Sequence, residues 1–302
     1  MPPTALGLVL LAAALHAGWN LLVKRAADKQ VFTWCALVVG TVCFAPFLLA
    51  GPALPPRAWP YVAASAVAEA AYFAALTRAY TNADFSLVYP LARGAAPALL
   101  AVWAALFLGE RPGRAGLAGL ALLLLGLVIV GGAARPRFPN TRMEGKRQVR
   151  EAERGARPGS SRAAGIAAAL LVAVCISIYS AIDGAAVRFA APAPYLTLVI
   201  ALTAALAAPV VLARYGGRAV LAEWRLNWPR IVAVGLLTLL AYLLVLRAYA
   251  IARVGYTGAI RETSIVFAAL AGWRWLGEEF GAIRTAGAAL IVAGILVIAV
   301  AG

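Results

Sequence analysis

Polar and charged residues along this chain gather in short clusters, and the apolar stretches between them lack the one-sided periodicity of a soluble helix. Breaking the sequence at charged, proline-rich and glycine-rich punctuation leaves ten apolar segments, at about 4–23, 31–50, 59–79, 84–108, 115–132, 163–187, 195–213, 229–251, 254–276 and 282–301. With flanking neutral residues counted, such stretches reach roughly 20 residues, the length a helix needs to cross the hydrocarbon of a bilayer. Helices apolar on every side are seldom those of a soluble domain. The chain has 302 residues, 64% of them hydrophobic and 13% charged, and a mean hydropathy of +0.87. That is more apolar material than a soluble core of this size buries, so a bilayer is its solvent. The pattern predicts an all-α membrane protein of ten transmembrane helices.

One long polar stretch interrupts the series. Arg135–Arg162, rich in Arg, Glu, Gly and Pro, reads as a linker or surface loop between two halves, 1–134 and 163–302. The halves repeat each other. A shift of 168 residues superposes Arg93 on Arg261, Gly109-Glu110 on Gly277-Glu278, Gly119 on Gly287 and Gly126 on Gly294. A shift of 169 brings Arg78-Ala79-Tyr80 onto Arg247-Ala248-Tyr249, and one of 164 brings Lys24 onto Arg188 and Thr33 onto Thr197. Five helices per half is an odd number, so the second copy enters the membrane upside down. Two inverted five-helix repeats are an architecture of alternating-access transporters. Lys and Arg concentrate on the linker's side, which by the positive-inside rule places the linker in the cytoplasm and both termini outside.

The net charge of +15 raises nucleic acid as a partner, but the basic residues lie mostly between apolar runs, where they set topology and meet anionic headgroups. No nucleic-acid contact is expected. Cys35, Cys43 and Cys175 all fall inside apolar runs without metal-ligand spacing and read as small core residues. The first apolar stretch ends in small residues like a signal peptide. It lacks a basic leader and has a repeat partner, so it reads as the first spanning helix. No cofactor or metal is implied.

Specific short blocks mark the halves. Each ends its fourth segment in Leu-Gly-Glu, at Leu108-Gly109-Glu110 and Leu276-Gly277-Glu278, followed by a glycine-spaced helix. His16-Ala17-Gly18-Trp19-Asn20, Tyr89-Pro90-Leu91-Ala92-Arg93-Gly94 and Arg261-Glu262-Thr263-Ser264 stand in the first, fourth and ninth segments. With these blocks the chain resembles the EamA-type transporters of the drug/metabolite transporter superfamily, over its whole length except the linker. The resemblance implies a multi-pass protein of a bacterial cell membrane, with a central cavity lined by segments 1, 3, 4, 6, 8 and 9. Segments 5 and 10 would be peripheral. It implies export of a small metabolite, amino acid or drug-like molecule, without naming which.

Ionisable groups inside spanning helices cost roughly 2.5–3.5 kcal/mol each on insertion scales, so they face a cavity or a partner. His16, Trp19 and Asn20 stand at i, i+3 and i+4, presenting an imidazole, an indole N–H and a carboxamide on one face, suited to a polar ligand or to a helix contact. Tyr179, Ser180 and Asp183 form the corresponding face of the sixth segment. Asp183 is the strongest candidate for a titrating group that couples transport to protons, and a structural pair with an arginine is the alternative. Glu69 with Tyr72, and Thr238 with Tyr242, share faces where the aromatics either stack on a ligand or simply pack. Tyr89 and Arg93 lie at i, i+4 with Pro90 and Pro97 nearby, the signal of a broken helix lining a cavity. Arg93 and Arg261 need carboxylates or an anionic substrate group. Adjacent Arg261 and Glu262 point about 100° apart on a helix, so neither is expected to neutralise the other. The Gly119/Gly126 and Gly287/Gly294 spacings permit close helix contact and make segments 5 and 10 candidates for a homodimer interface. Gly109-Glu110 and Gly277-Glu278 read as helix caps.

An enzyme is not expected. The chain has one histidine, no Gly-x-Ser-x-Gly, no His-Glu-x-x-His, and one aspartate, Asp183, in the interior of a spanning segment, where an aspartyl protease needs two. No phosphate-binding glycine loop is present, which points to secondary transport or facilitated diffusion. A flippase of a lipid-linked intermediate shares the architecture, and an ion channel fits two proline-broken halves less well.

Overall fold

The computed structural model describes residues 1–24, 26, 28–82, 85–132, 162–267, 270 and 282–301. Among them there is helix and no strand. The helices are α1 Pro3–Lys24, α2 Lys29–Phe44, α3 Pro46–Ala50, α4 Trp59–Asn82, α5 Phe85–Phe107, α6 Arg114–Gly132, α7 Arg162–Ala186, α8 Pro192–Ile251, α9 Val254–Arg261 and α10 Ala282–Ala301. Local chemistry sets several ends. Asp28 caps α2, its carboxylate accepting from the N–H groups of Gln30 (2.9 Å) and Val31 (3.1 Å). Pro46 and Pro192 open α3 and α8, where the missing N–H has no helical partner to lose.

Four stretches are long and apolar enough to cross a membrane, Pro3–Val23, Lys29–Ala50, Ala167–Ala186 and Pro192–Ile251, and three shorter apolar helices accompany them. Outward-facing Val42, Leu49, Leu106, Leu117, Leu125 and Leu296 are exposed, as lipid contact requires.

The polar stretch 214–228, read from sequence as a loop between two segments, is helical. α8 continues through it and breaks only at Gly216, whose φ of 75° and ψ of 157° suit a residue without a Cβ. Buried Glu223 and Asn227 satisfy each other one turn apart, the Asn227 amide donating to the carboxylate at 2.8 Å, so their polarity does not end the helix. The two limbs of α8, 192–215 and 217–251, carry the seventh and eighth apolar segments. Pro90 and Pro97 were expected to break the fourth segment, yet α5 runs helical from Phe85 to Phe107. Neighbouring groups in a bundle tolerate the lost donors. The break falls in the ninth segment instead, where α9 stops at Arg261, Glu262 and Thr263 form a turn, and helix resumes at Ser264.

α6 packs along α10, α2 and α1 along α8, α4 and α5 along α7, and α9 against α5. The α6–α10 contact is backbone to backbone. A Cβ on Gly119 would lie 2.9 Å from the Gly294 carbonyl oxygen, and one on Gly126 only 2.5 Å from that of Gly287. Gly119 thus meets Gly294 and Gly126 meets Gly287, so the two helices run antiparallel. The glycine faces proposed for a homodimer are therefore spent on each other inside one chain. A dimer through α6 and α10 has only their leucine- and valine-bearing outer sides to use. Gly126→Ala is expected to destabilise the protein by about 1–3 kcal/mol, because backbone on the partner helix cannot rotate aside as a side chain can. A thermal melt in detergent measures it; an unchanged midpoint would show the contact to be compliant.

Candidate functional site

The buried polar residues converge where α4, α7, both limbs of α8 and α9 meet. Asp183 of α7 is fully buried and holds two phenols. The Tyr195 hydroxyl donates to its Oδ1 at 2.7 Å, and the Tyr242 hydroxyl donates to Oδ2. One carboxylate so joins three helical spans. A charged group in such a place is tolerated only when its lone pairs are occupied. On α4, Ser65, Glu69 and Tyr72 follow at one-turn intervals. Thr203 from the first limb of α8 donates to Glu69 Oε2 at 3.1 Å. Among the described residues, no basic side chain lies within ion-pair distance of Asp183 or Glu69, and their donors are hydroxyls.

Tyrosines line one side of this centre. Tyr72 and Tyr179 have ring centroids 6.2 Å apart, and so do Tyr179 and Tyr242, each pair edge to face. Because Glu69 and Tyr72 are one turn apart on α4, as are Tyr179 and Asp183 on α7, carboxylate and ring alternate along both helices.

Arg261 and Glu262 form an ion pair, with the guanidinium Nη2 3.3 Å and Nε 3.4 Å from Glu262 Oε1. The expectation that these neighbours would not neutralise each other fails because it treated side chains as fixed directions. Glu262 keeps a right-handed helical backbone where α9 ends, the long Arg261 side chain reaches across, and both side chains are buried. Four buried hydroxyls of the same region, on Ser65, Ser180, Tyr249 and Thr263, make no hydrogen bond to a described residue. Ser65 nonetheless lies beside Asp183, and Ser180 beside Tyr249. Orphaned buried hydroxyls are costly, and a polar guest would satisfy them.

The α1 face combines contacts within its own helix with a buried Trp19 indole N–H that makes no hydrogen bond to a described residue. The Asn20 amide donates to the His16 carbonyl at 2.7 Å, bonding its own helix. His16 and Trp19 stack edge to face at 4.8 Å, and Trp19 packs on the cluster of Val31, Phe32, Cys35, Ile231 and Val234 between α2 and α8. The side chains of Tyr89 and Arg93 lie outside the described residues, as do Gly277-Glu278 and the linker. Tyr195, Thr203 and Ser65 carried no recognised signal, since hydroxyls in apolar segments look like neutral filler. Ser180 stood on the face it shares with Tyr179 and Asp183, Thr263 in the Arg-Glu-Thr-Ser block, and Tyr249 in the repeated Arg-Ala-Tyr tripeptide.

The first Leu-Gly-Glu block caps a helix of the other half. Glu110 accepts from the N–H groups of Val254 (2.6 Å) and Gly255 (3.1 Å) at the start of α9. Arg188 pairs with it at 3.3 Å.

A helical membrane bundle with a buried centre of carboxylates, hydroxyls and aromatic rings belongs to the class of solute transporters in its general form. The EamA-like transporter family model matches residues 3–132 and again 163–300, and the chain belongs to that family, within the drug/metabolite transporter superfamily. It is a multi-pass integral membrane protein built from two copies of the family's repeat. A solved structure titled only "Crystal structure of protein" aligns with all of both chains at a TM-score of 0.72 and 21% identity, a likeness of fold alone. No curated protein matches the sequence.

Proposed function

We propose that the protein is a secondary transporter that exports a small metabolite by alternating access, with its substrate held between two inverted five-helix repeats of a bacterial cell membrane. The observation that carries this reading is the centre itself. Groups from both repeats (Glu69 and Tyr72 of the first, Asp183, Tyr242 and Arg261 of the second) meet in a buried polar cluster with orphaned hydroxyls. The antiparallel run of α6 and α10, helices that are repeat mates, supports inversion, because mates of parallel repeats would run the same way. Among the described residues Arg261 is engaged by Glu262 and the donors to Asp183 and Glu69 are hydroxyls, so these carboxylates favour a substrate that brings a protonated amine. The tyrosine wall suits the apolar or cationic part of such a molecule. Protons are the coupling ion we favour, with Asp183 as carrier.

Comparing metabolites of cells that lack and overproduce the protein identifies the substrate, and counterflow in proteoliposomes tests it directly. Accumulated 2-phenylethylamine should exchange faster than 3-phenylpropionate. Absence of counterflow with every compound so identified, from monodisperse protein, would sink the transporter reading. The inversion has its own test. Single cysteines at Gln30 and at Phe189, just after Arg188, should label from opposite sides of the membrane; labelling from one side means parallel repeats.

A further inference from the structure

We propose that Glu110 is a latch: it ties the two repeats shut on the side of the membrane that bears the chain termini, and it must let go for that side to open. The proposal rests on the alternating-access reading above and assigns within it a residue remote from the central cluster. Three connections converge at Glu110: its own, between α5 and α6; the one after α7; and the one before α9. Both carboxylate oxygens are engaged across the repeat boundary. Oε1 accepts from Val254 N at 2.6 Å and from Arg188 Nη2 at 3.3 Å, and Oε2 accepts from Gly255 N at 3.1 Å. Arg188 also donates from Nη1 to the Leu108 carbonyl at 3.0 Å, closing a ring of charge-assisted bonds between the halves.

An ordinary helix cap comes from the residue at the helix start. Here Arg253 holds that place and, having no side-chain acceptor, supplies no cap, so the first N–H groups of α9 depend on an acid 144 residues away. The backbone is shaped for it. Gly109 takes a φ of 67°, turning the chain so that Glu110 reaches α9, and a Cβ on Gly255 would come within 3.2 Å of the Ala101 Cα. Release has a route as well as a cost. Arg188 is well exposed, so water can take over its donors and those of α9 when the loops part. A second contact joins the halves on the same side. The Arg57 guanidinium lies 4.3 Å above the Phe189 ring, which also stacks edge to face on Tyr61 at 5.4 Å. Closure there is thus made by bonds between the repeats, and those at Glu110 include an ion pair.

The test uses the full-length protein with its three native cysteines replaced by alanine and one reporter, Ala104→Cys. Ala104 is buried, and its carbonyl accepts from the Glu110 N–H at 3.1 Å, so it sits directly beneath the latch. The readout is the rate of reaction with a membrane-impermeant sulfonated methanethiosulfonate added from the termini's side. Glu110→Gln keeps the shape but loses the ion pair and much of the cap, and should raise that rate on the order of ten-fold. Arg188→Gln leaves the backbone cap intact and should raise it by less. A lower melting temperature in Glu110→Gln with the labelling rate unchanged would make Glu110 a structural cap only. If Glu110→Gln does not fold, Arg188→Gln decides alone, and an unchanged rate overturns the proposal. Labelling needs no substrate. Faster labelling in variants whose parent shows no counterflow would therefore refute transport while leaving the latch standing.

Discussion

Asp183→Asn is expected to abolish accumulation driven by a pH gradient while leaving substrate exchange measurable. The substitution keeps the size of the side chain and removes the only group at that position able to take and give a proton. Its local cost is specific. Tyr195 donates to Oδ1 and Tyr242 to Oδ2, so an amide offers one acceptor where the carboxylate offered two. One tyrosine must then turn its hydroxyl to accept from the new N–H, a change of about 1–3 kcal/mol. Uptake into proteoliposomes, with and without an imposed gradient, separates the two effects. Gradient dependence that survives in Asp183→Asn removes this residue as the proton carrier and passes the role to Glu69, the carboxylate held by Thr203.

The second large effect is expected at the ion pair. Arg261→Met should destabilise the folded protein by about 1–3 kcal/mol, since it takes from buried Glu262 a guanidinium that is hydrogen-bonded to it. Glu262→Gln combined with Arg261→Met should restore most of that loss, because two uncharged side chains of similar volume need no compensation. Denaturation midpoints of the two single variants and the double variant measure the coupling, expected at about 1 kcal/mol or more. Additive losses would show that the pair, 3.3 Å apart, contributes nothing jointly.

Much of the architecture was legible in the chain because bilayer physics writes it in large letters. Segment length, apolar runs and the 168-residue repeat depend on composition over tens of residues, and local error averages out. The site was legible in part. Glu69, Tyr72, Tyr179, Asp183 and Tyr242 do gather, because a charge or a phenol in lipid must find partners and the centre is where partners are. What failed were inferences that read side chains as fixed vectors on a helix. Glu262 keeps a helical φ of −70° at the end of α9, and the Arg261–Glu262 pair forms because the long guanidinium side chain spans the angle between them. His16 and Asn20 share a helix face as predicted, but Asn20 bonds the His16 carbonyl, which no face diagram distinguishes from reaching toward a ligand. The helical stretch across 214–228 was missed for the opposite reason: its polar residues satisfy one another internally, as Glu223 and Asn227 do.

The contact between α6 and α10 bears on how the two end states are balanced. Gly119 and Gly126 meet Gly294 and Gly287 in exchanged order, so rotating one repeat onto the other maps this contact onto itself. Under the alternating access proposed above, the two end states of such a molecule are related by swapping the roles of its halves, and identical halves would populate both equally. Every residue that differs between them is then a weight on the scale. Glu110 and Arg188 have Glu278 and Lys24 as their repeat mates, so under the proposed latch only what differs between these two sets biases one side, and the resting preference is the sum of such asymmetries. A substitution that tips the population one way should be counterbalanced by the same substitution at its repeat mate, so resting bias becomes adjustable by residues that never touch substrate.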